Sequence, residues 1–133
     1  MKKQIIISST NELVRVQPER IVYISSDGNY STMVLHDQLE HLFTMNLAHV
    51  QQELEKQLGE KAQMFIRIGK SLIINRHYIY KINVGKQQLV LSDMVLPQAF
   101  TLSASKEALK QLKQLLEDEI KWIWKWLKMK YKF

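Results

Sequence analysis

Residues 65–79 read Phe-Ile-Arg-Ile-Gly-Lys-Ser-Leu-Ile-Ile-Asn-Arg-His-Tyr-Ile, and this stretch decides the fold. Short β-branched runs stand on both sides of Gly69-Lys70-Ser71, so we predict strands at Met64–Ile68 and Leu72–Ile74 with a turn between them. The same triplet also ends a phosphate-binding P-loop, which needs a glycine five residues earlier and a helix afterwards. Position 64 is Met64 and a strand follows the triplet, so a turn is the better interpretation.

Similar short apolar runs occupy the chain on both sides of this stretch. Turn-forming groups separate them, for example Ser26-Asp27-Gly28-Asn29, Val84-Gly85-Lys86 and Ser92-Asp93. Runs separated in this way predict antiparallel strands, which we place at residues 5–7, 13–16, 21–24, 30–35, 39–45, 79–82, 88–91 and 95–101.

Two segments have helical rather than strand periodicity. Asn46 is a suitable N-cap for a helix through Gln57, whose apolar residues recur at steps of three and four, and Gly59 ends it. A second helix is predicted from about Ala104 to about Lys130, since the same periodicity continues there without proline or glycine. Such a helix is roughly 40 Å long, more than a domain of this size needs, so its far end is expected to project.

The composition suits one soluble globular domain, with 133 residues of which 46% are apolar and 24% are charged. We therefore expect neither a two-domain receptor nor a multidomain enzyme. The cysteine count is zero, which excludes disulfides and thiolate metal sites and suits a reducing compartment. The first residues lack the longer apolar core of a secretory signal, so we expect a mature start and a cytoplasmic protein.

The net charge of +6 is concentrated at one end of the chain. Residues 121–133 contain five lysines and no acid, so the other 120 residues carry 14 basic and 13 acidic side chains, a net balance of +1. A domain with this balance has no broad basic surface. Nucleic-acid binding by residues 1–120 would therefore depend on a few well-placed side chains.

Catalytic and metal-binding patterns are sparse in this sequence. Among the four histidines, His49 has the spacing to Glu53 of two metal ligands on one helical turn. A single pair of this kind is common by chance, and we interpret it as a solvated helix face. The sequence contains no Gly-x-Ser-x-Gly elbow and no cysteine nucleophile, and its carboxylates are scattered. We therefore expect no enzyme activity, no metal site and no cofactor.

Several motifs occur in an order and spacing that indicate a family. Ile21-Val22-Tyr23-Ile24 leads to a turn that ends in Asn29-Tyr30, and residues 65–75 follow about forty residues later. Leu89-Val90-Leu91-Ser92-Asp93 and Thr101-Leu102-Ser103 complete the series before the last predicted helix. Taken together, these motifs resemble the LytTR-type DNA-binding domain of bacterial transcription regulators.

The resemblance covers about residues 12–116. It implies a mainly β (α+β) fold of several small antiparallel sheets packed together, with one short helix mid-chain and a long C-terminal helix. It divides the chain into a LytTR-like domain, residues 1–116, and a basic, tryptophan-rich helical extension, residues 117–133. It also implies a cytoplasmic, response-regulator-like transcription regulator whose loops bind double-stranded promoter DNA in a sequence-specific way. Because the chain has no room for a phosphorylatable receiver, we expect its control to come from elsewhere.

Three groups of residues correspond to the DNA-reading loops of the family. They are expected to contact base edges or phosphates and comprise Asn29, Tyr30 and Ser31 in the first group, Gly69, Lys70 and Ser71 in the second, and Ser103, Ser105 and Lys106 in the third. Family members often carry an arginine or an amide at the position of Lys70 and an arginine in the third group, so the base preference is expected to differ here. The structural alternatives are hairpin chemistry in the first group and helix capping by Ser103 in the third.

Two further polar residues near the second group are expected to be structural. Arg67 lies on a strand between two apolar residues that face the other way, and we expect it to support the Lys70 loop. Asn75 is expected to hold the turn that leads into Tyr78-Ile79.

The helical extension places Lys121, Lys125, Lys128 and Lys132 in one stripe, because their steps are four, three and four. Tryptophans and other apolar residues cover the neighbouring directions. Three partners fit this pattern: a second copy of the chain, which we favour, an anionic membrane surface bound peripherally, and the domain's own sheets. For the whole chain, the alternative function is a β-rich protein–protein or membrane-surface adaptor that has kept the fold but not DNA binding.

Overall fold

The computed structural model describes residues 3–93, 95 and 98–131. Within these residues the elements are β1 (Ile5–Ser8), β2 (Leu13–Val16), β3 (Ile21–Asp27), β4 (Tyr30–Leu35), β5 (Glu40–Phe43), α1 (Leu47–Leu58), β6 (Phe65–Ile68), β7 (Leu72–Asn75), β8 (Ile79–Asn83), β9 (Gln88–Leu91), β10 (Phe100–Ser103) and α2 (Lys106–Tyr131). Short 3₁₀ turns lie at Pro18–Arg20, Gly59–Met64 and Arg76–Tyr78.

The strands form antiparallel sheets of different sizes. A central sheet has the order β5-β4-β3-β7-β6, a second sheet has the order β10-β9-β8, and β1 pairs with β2. The structure confirms the predicted mainly β fold of small packed antiparallel sheets, with a short helix mid-chain and a long C-terminal helix.

The core lies on both faces of the central sheet. On one face, Ile73 of β7 belongs to a cluster that includes Leu54 of α1. On the other face, Ile74 belongs to a cluster that includes Leu89 of β9 and Leu109 of α2. Successive side chains of a strand point to opposite faces, so neighbours in β7 enter different clusters. An apolar run without polar alternation fits this position because both of its faces are covered.

Helix α1 has the predicted cap at Asn46 and ends at Leu58, one residue beyond the predicted Gln57. The backbone N–H of His49 donates to Asn46 Oδ1 at 2.8 Å, which caps the first turn. Gly59 follows the helix with a φ of +60°, a conformation that favours glycine. The helix packs on the central sheet through its buried side chains, which are Leu47, Val50, Leu54 and Leu58. Burial of each contributes roughly 1.5–3 kcal/mol relative to exposure.

The prediction of a strand at residues 95–101 gives the wrong position. The observed strand β10 begins at Phe100 and pairs with β9 as far as Ser103. Val95 lies in a bend and is 85% exposed, and its backbone N–H donates to Asp93 Oδ1 at 3.0 Å. This local side-chain bond turns the chain away from an extended path. Residues 96 and 97 of the predicted strand lie outside the described residues.

Several other predicted boundaries also shift, and β3, for example, extends to Asp27 instead of ending at Ile24. The strand expected at residues 39–45 is limited to Glu40–Phe43. Helix α2 begins at Lys106 rather than Ala104, because the Ala104 N–H donates to Gln87 O at 3.3 Å and so continues the bonding of the second sheet.

Helix α2 continues well past the core that its first turns cover. Its 26 residues span about 39 Å. Leu116 still packs against the core, and Glu119 accepts a hydrogen bond from Arg76 Nη1 at 2.7 Å. Among the helices of the described residues, none has the length and apolar character needed to cross a membrane.

Candidate nucleic-acid interface

Two hairpin turns lie side by side at one end of the central sheet. Strand β3 pairs antiparallel with both β4 and β7, so the β3–β4 turn and the β6–β7 turn fall at the same end. The Ser26 backbone N–H donates to Ser71 O at 2.9 Å and joins the two turns directly. The structure therefore brings the first and second predicted groups together.

The first turn is a tight two-residue connection. Asp27 and Tyr30 are partners in the sheet, so only Gly28 and Asn29 lie between the strands. Gly28 has a φ of +64°, which suits the first central position of a type II′ turn. The side chains of Asn29 and Tyr30 are exposed at the end of the hairpin.

Ser31 has a different position from the one expected. Its side chain is 0% exposed, and its hydroxyl donates to Met45 O at 2.6 Å. Because side chains alternate along a strand, Ser31 points inward where Tyr30 points outward. The expected contact of the Ser31 hydroxyl with DNA does not fit this arrangement, in which the hydroxyl instead holds the chain that leads into α1.

The second turn is a three-residue connection with a basic tip. Ile68 and Leu72 are sheet partners, so Gly69, Lys70 and Ser71 form the loop, and all three are exposed. The φ of Gly69 is +61°, a conformation that other residues rarely adopt.

Arg67 supports this second loop from the side. Its Nη2 donates to Lys70 O at 3.4 Å, and its Nη1 donates to Gln51 Oε1 of α1 at 3.1 Å. These contacts agree with the supporting role expected from the sequence. Asn75, fully buried, is also structural: its Nδ2 donates to Ile21 O at 2.9 Å and its Oδ1 accepts the His77 N–H at 3.0 Å.

The third predicted group lies where the second sheet passes into α2. Ser103 is the last residue of β10, and Ser105 precedes the helix. The Ala108 N–H donates to Ser105 Oγ at 3.1 Å, so the helix cap is Ser105, and the alternative role of Ser103 as the cap is wrong. Ser103 instead remains bonded within the sheet, opposite Gln88.

A groove separates the second turn from the first turns of α2. It has a volume of about 310 Å³ and runs between β6 and α2, where it is lined by Gly69 on one side and by Ala108 and Gln111 on the other. Ala108 belongs to the first turn of α2, which Lys106 begins. The start of α2, and with it the third group, therefore lies across this groove from the second turn.

The comparison with protein families decides what kind of domain this is. Residues 11–117 match the family described as the LytTr DNA-binding domain. The chain belongs to the LytTr DNA-binding domain family. This membership confirms the resemblance inferred from the motifs. The partner of the domain is therefore DNA, and its role is in transcription regulation. The family is a DNA-binding one rather than a family of enzymes.

A solved structure shares the LytTr fold seen here. It is a LytTr DNA-binding domain from Bacillus cereus, whose parent protein is described as a methyl-accepting/DNA response regulator. The two chains are 20% identical with a TM-score of 0.59, and the alignment covers 87% of this chain and 98% of the other. At this identity the likeness shows a common fold. The search of curated proteins gave no match.

The LytTr domain also places a lysine at this end that sequence reasoning missed. Lys86 is exposed in the β8–β9 turn, next to Gln87. Gln87 forms two hydrogen bonds with Ala104. The Gln87 carbonyl oxygen accepts from the Ala104 N–H at 3.3 Å, and Gln87 Nε2 donates to Ala104 O at 3.4 Å. The turn was predicted from Val84-Gly85-Lys86, but its closeness to the start of α2 depends on sheet pairing that no local signal reveals.

The charges around the loops are mixed. The exposed cations include Lys70, Lys86, Lys106 and the supporting Arg67, whereas Asp27 and Glu107 contribute exposed carboxylates in the first turn and at the start of α2. A carboxylate at a helix start competes with phosphate for the positive end of the helix dipole. The positive charge at this end of the LytTr domain is therefore modest and local.

Proposed function

We propose that this LytTr domain is a sequence-specific transcription regulator that reads promoter DNA with three loops at one end of the molecule. The bond between the Ser26 N–H and Ser71 O is the observation that carries the proposal, because it holds the first two loops side by side. The start of α2 adds a third loop across the groove beside Gly69.

The size of the loops suits the major groove of DNA. That groove is about 12 Å wide, which admits a narrow hairpin turn as well as a helix. The two-residue turn at Gly28-Asn29 and the three-residue turn at Gly69–Ser71 are both narrow. The exposed amide of Asn29 has the donor and acceptor pair that reads adenine, so this loop is suited to sequence recognition.

The charges support a small number of phosphate contacts. Lys70, Lys86 and Lys106 are the exposed lysines next to the three loops. Each phosphate contact contributes about −0.9 to the slope of log K against log salt, so three contacts would give a slope near −2.7. Specificity would then come from base contacts, since phosphate contacts carry no sequence information directly.

The loops are held before DNA arrives. Arg67 joins the Lys70 loop to α1, the sheet bond at Ser26 joins the two hairpins, and Ser105 caps α2. A surface that is already ordered loses little conformational freedom on binding, which favours affinity without many contacts.

The test compares the full chain with a chain that ends at Glu119. Of the residues removed, the structure describes 120–131; none of these belongs to the buried core, and all are exposed apart from half-buried Leu127. Both proteins are incubated with a pool of genomic DNA fragments at several salt concentrations, and the bound fragments are sequenced. Circular dichroism confirms that both remain folded.

We expect both proteins to select the same fragments, with affinity that falls as salt rises. This result would assign recognition to the β domain. Binding that is lost with residues 120–133, or that selects no fragments in either protein, would contradict the proposal and favour an adaptor without DNA recognition.

A further inference from the structure

The C-terminal part of α2 exposes apolar side chains together with lysines. We call residues 120–131 the lysine–tryptophan segment. Each of its side chains is exposed except that of Leu127, which is half-buried. Trp122 is 69% exposed and Met129 is 75% exposed. A concentration of exposed apolar surface of this kind marks a contact site.

The segment has two distinct sides. At about 100° per residue, three lysines fall within about 60° of arc, and these are Lys121, Lys125 and Lys128. Ile123 and Trp126 lie on the opposite side of the helix. Lys130 also lies towards the apolar side, with its Nζ 4.8 Å from the centroid of the Trp126 ring, and its flexible stem can carry the ammonium outward.

A second copy of the segment is a poor partner for it. Pairing two copies through their apolar sides would enclose Lys130, and residues 120–131 contain no acid that could pair with it. Carboxylates just before the segment are already engaged within their own chain. Lys113 Nζ donates to Glu117 Oε1 at 2.6 Å, and Arg76 Nη1 donates to Glu119 Oε1 at 2.7 Å.

We propose that the lysine–tryptophan segment docks the protein on an anionic lipid surface. The lysine stripe is complementary in charge to negative headgroups, and indole rings favour the headgroup level of a bilayer. Apolar side chains such as Ile123 enter the boundary between headgroups and acyl chains. The segment is about 18 Å long, so it lies in the plane of the surface rather than crossing it.

The lipid-binding segment is separate from the DNA-reading loops. Lys106, at the start of α2, and Ile120 are 14 residues apart, which corresponds to about 21 Å along the helix. Docking on lipid therefore does not depend on the proposed DNA recognition, and each can be tested without the other.

The tryptophans provide a direct readout of docking. All three tryptophans of the chain lie in the segment, at positions 122, 124 and 126, so intrinsic tryptophan fluorescence reports on this segment alone. The full chain is mixed with vesicles of phosphatidylcholine, or of phosphatidylcholine with phosphatidylglycerol. Emission wavelength and quenching by acrylamide are recorded at several salt concentrations, and light scattering gives the oligomeric state without vesicles.

Two triple variants with the same change in net charge distinguish an effect of the lysine stripe, which is Lys121, Lys125 and Lys128, from an effect of net charge alone. The stripe variant carries Lys121→Gln, Lys125→Gln and Lys128→Gln, and the control variant carries Lys56→Gln, Lys81→Gln and Lys110→Gln. All six lysines are exposed, so both variants should fold, which circular dichroism checks. Each lysine near an anionic surface contributes about fivefold to affinity, so the stripe variant, which lacks three of them, should bind about a hundredfold more weakly.

We expect a blue shift and protection from acrylamide with phosphatidylglycerol vesicles, lost at high salt, reduced in the stripe variant and retained in the control variant. An equal response to phosphatidylcholine alone, or an equal response of both variants, would overturn the proposal. An absent response to either vesicle would also overturn it. A blue shift that depends on protein concentration without vesicles, together with a dimer in light scattering, would assign the segment to a second copy instead.

Discussion

Replacing Asn75 by alanine should strongly destabilise the domain, because this side chain joins two parts of the core. Its Nδ2 donates to Ile21 O at the start of β3, and its Oδ1 accepts the His77 N–H. The residue is 0% exposed, so water cannot replace either bond without entering the core.

The size of the effect follows from these two bonds. A net hydrogen bond contributes about 1 kcal/mol, and a buried polar group left without a partner costs about 1–3 kcal/mol. We therefore expect Asn75→Ala to lower the free energy of unfolding by about 3 kcal/mol. With a urea m-value of about 1.5 kcal/mol per molar, the unfolding midpoint should fall by about 2 M.

Urea unfolding followed by circular dichroism measures this change, with Asn83→Ala as the matched control. The Asn83 side chain is half-buried and accepts one bond, from the Lys86 N–H at 2.9 Å in an exposed turn. The control should therefore lose at most about 1 kcal/mol. If both variants unfold at the same urea concentration with unchanged m-values, the role assigned to Asn75 is wrong.

Three further substitutions test other parts of the structure by the same urea measurement. Asn46→Ala removes the cap of α1 and should cost about 1 kcal/mol, and an unchanged midpoint would argue against the cap. Gly69→Ala should cost about 1 kcal/mol from the positive φ alone, since an added Cβ meets no atom within 4 Å, and a much larger loss would mean that the loop is tightly enclosed. Tyr78→Phe removes the bond from the Tyr78 hydroxyl to Glu19 O at 2.7 Å and should cost about 1 kcal/mol. Burial raises the pKa of Tyr78 above 10.0, and the negative charges of Asp93 and Glu19 raise it further. The folded state therefore keeps the Tyr78 proton to a higher pH than the unfolded chain does. The free energy of unfolding should fall as pH rises past about 10, and it should fall less steeply in Tyr78→Phe than in the parent.

The features that the sequence predicted well are those set by local chemistry. Gly28 and Gly69 both adopt positive φ in tight turns, and such turns join neighbouring antiparallel strands. Asn46 and Gly59 mark the two ends of α1 because capping depends on only a few adjacent residues. The family motifs then related these local elements to a complete fold.

The features that the sequence did not predict depend on contacts between distant residues. The strand expected at residues 95–101 moved to Phe100–Ser103, because β9 offers pairing partners only there. Ser31 and Tyr30 are adjacent, yet only the sheet register decides which of them faces the solvent. Lys86 joins the candidate interface through the bonds between Gln87 and Ala104, which lie 17 residues apart.

The most direct test of loop-based recognition compares Lys70→Gln with Lys56→Gln. Both lysines are exposed and both substitutions remove one positive charge, but only Lys70 lies in a proposed reading loop. Affinity for a selected DNA fragment is measured over a salt series for the parent and both variants. We predict that Lys70→Gln weakens binding several-fold and makes the salt slope shallower by about 1, while Lys56→Gln leaves both unchanged. Unchanged affinity in a folded Lys70→Gln protein, or equal losses in both variants, would contradict recognition of DNA through this loop.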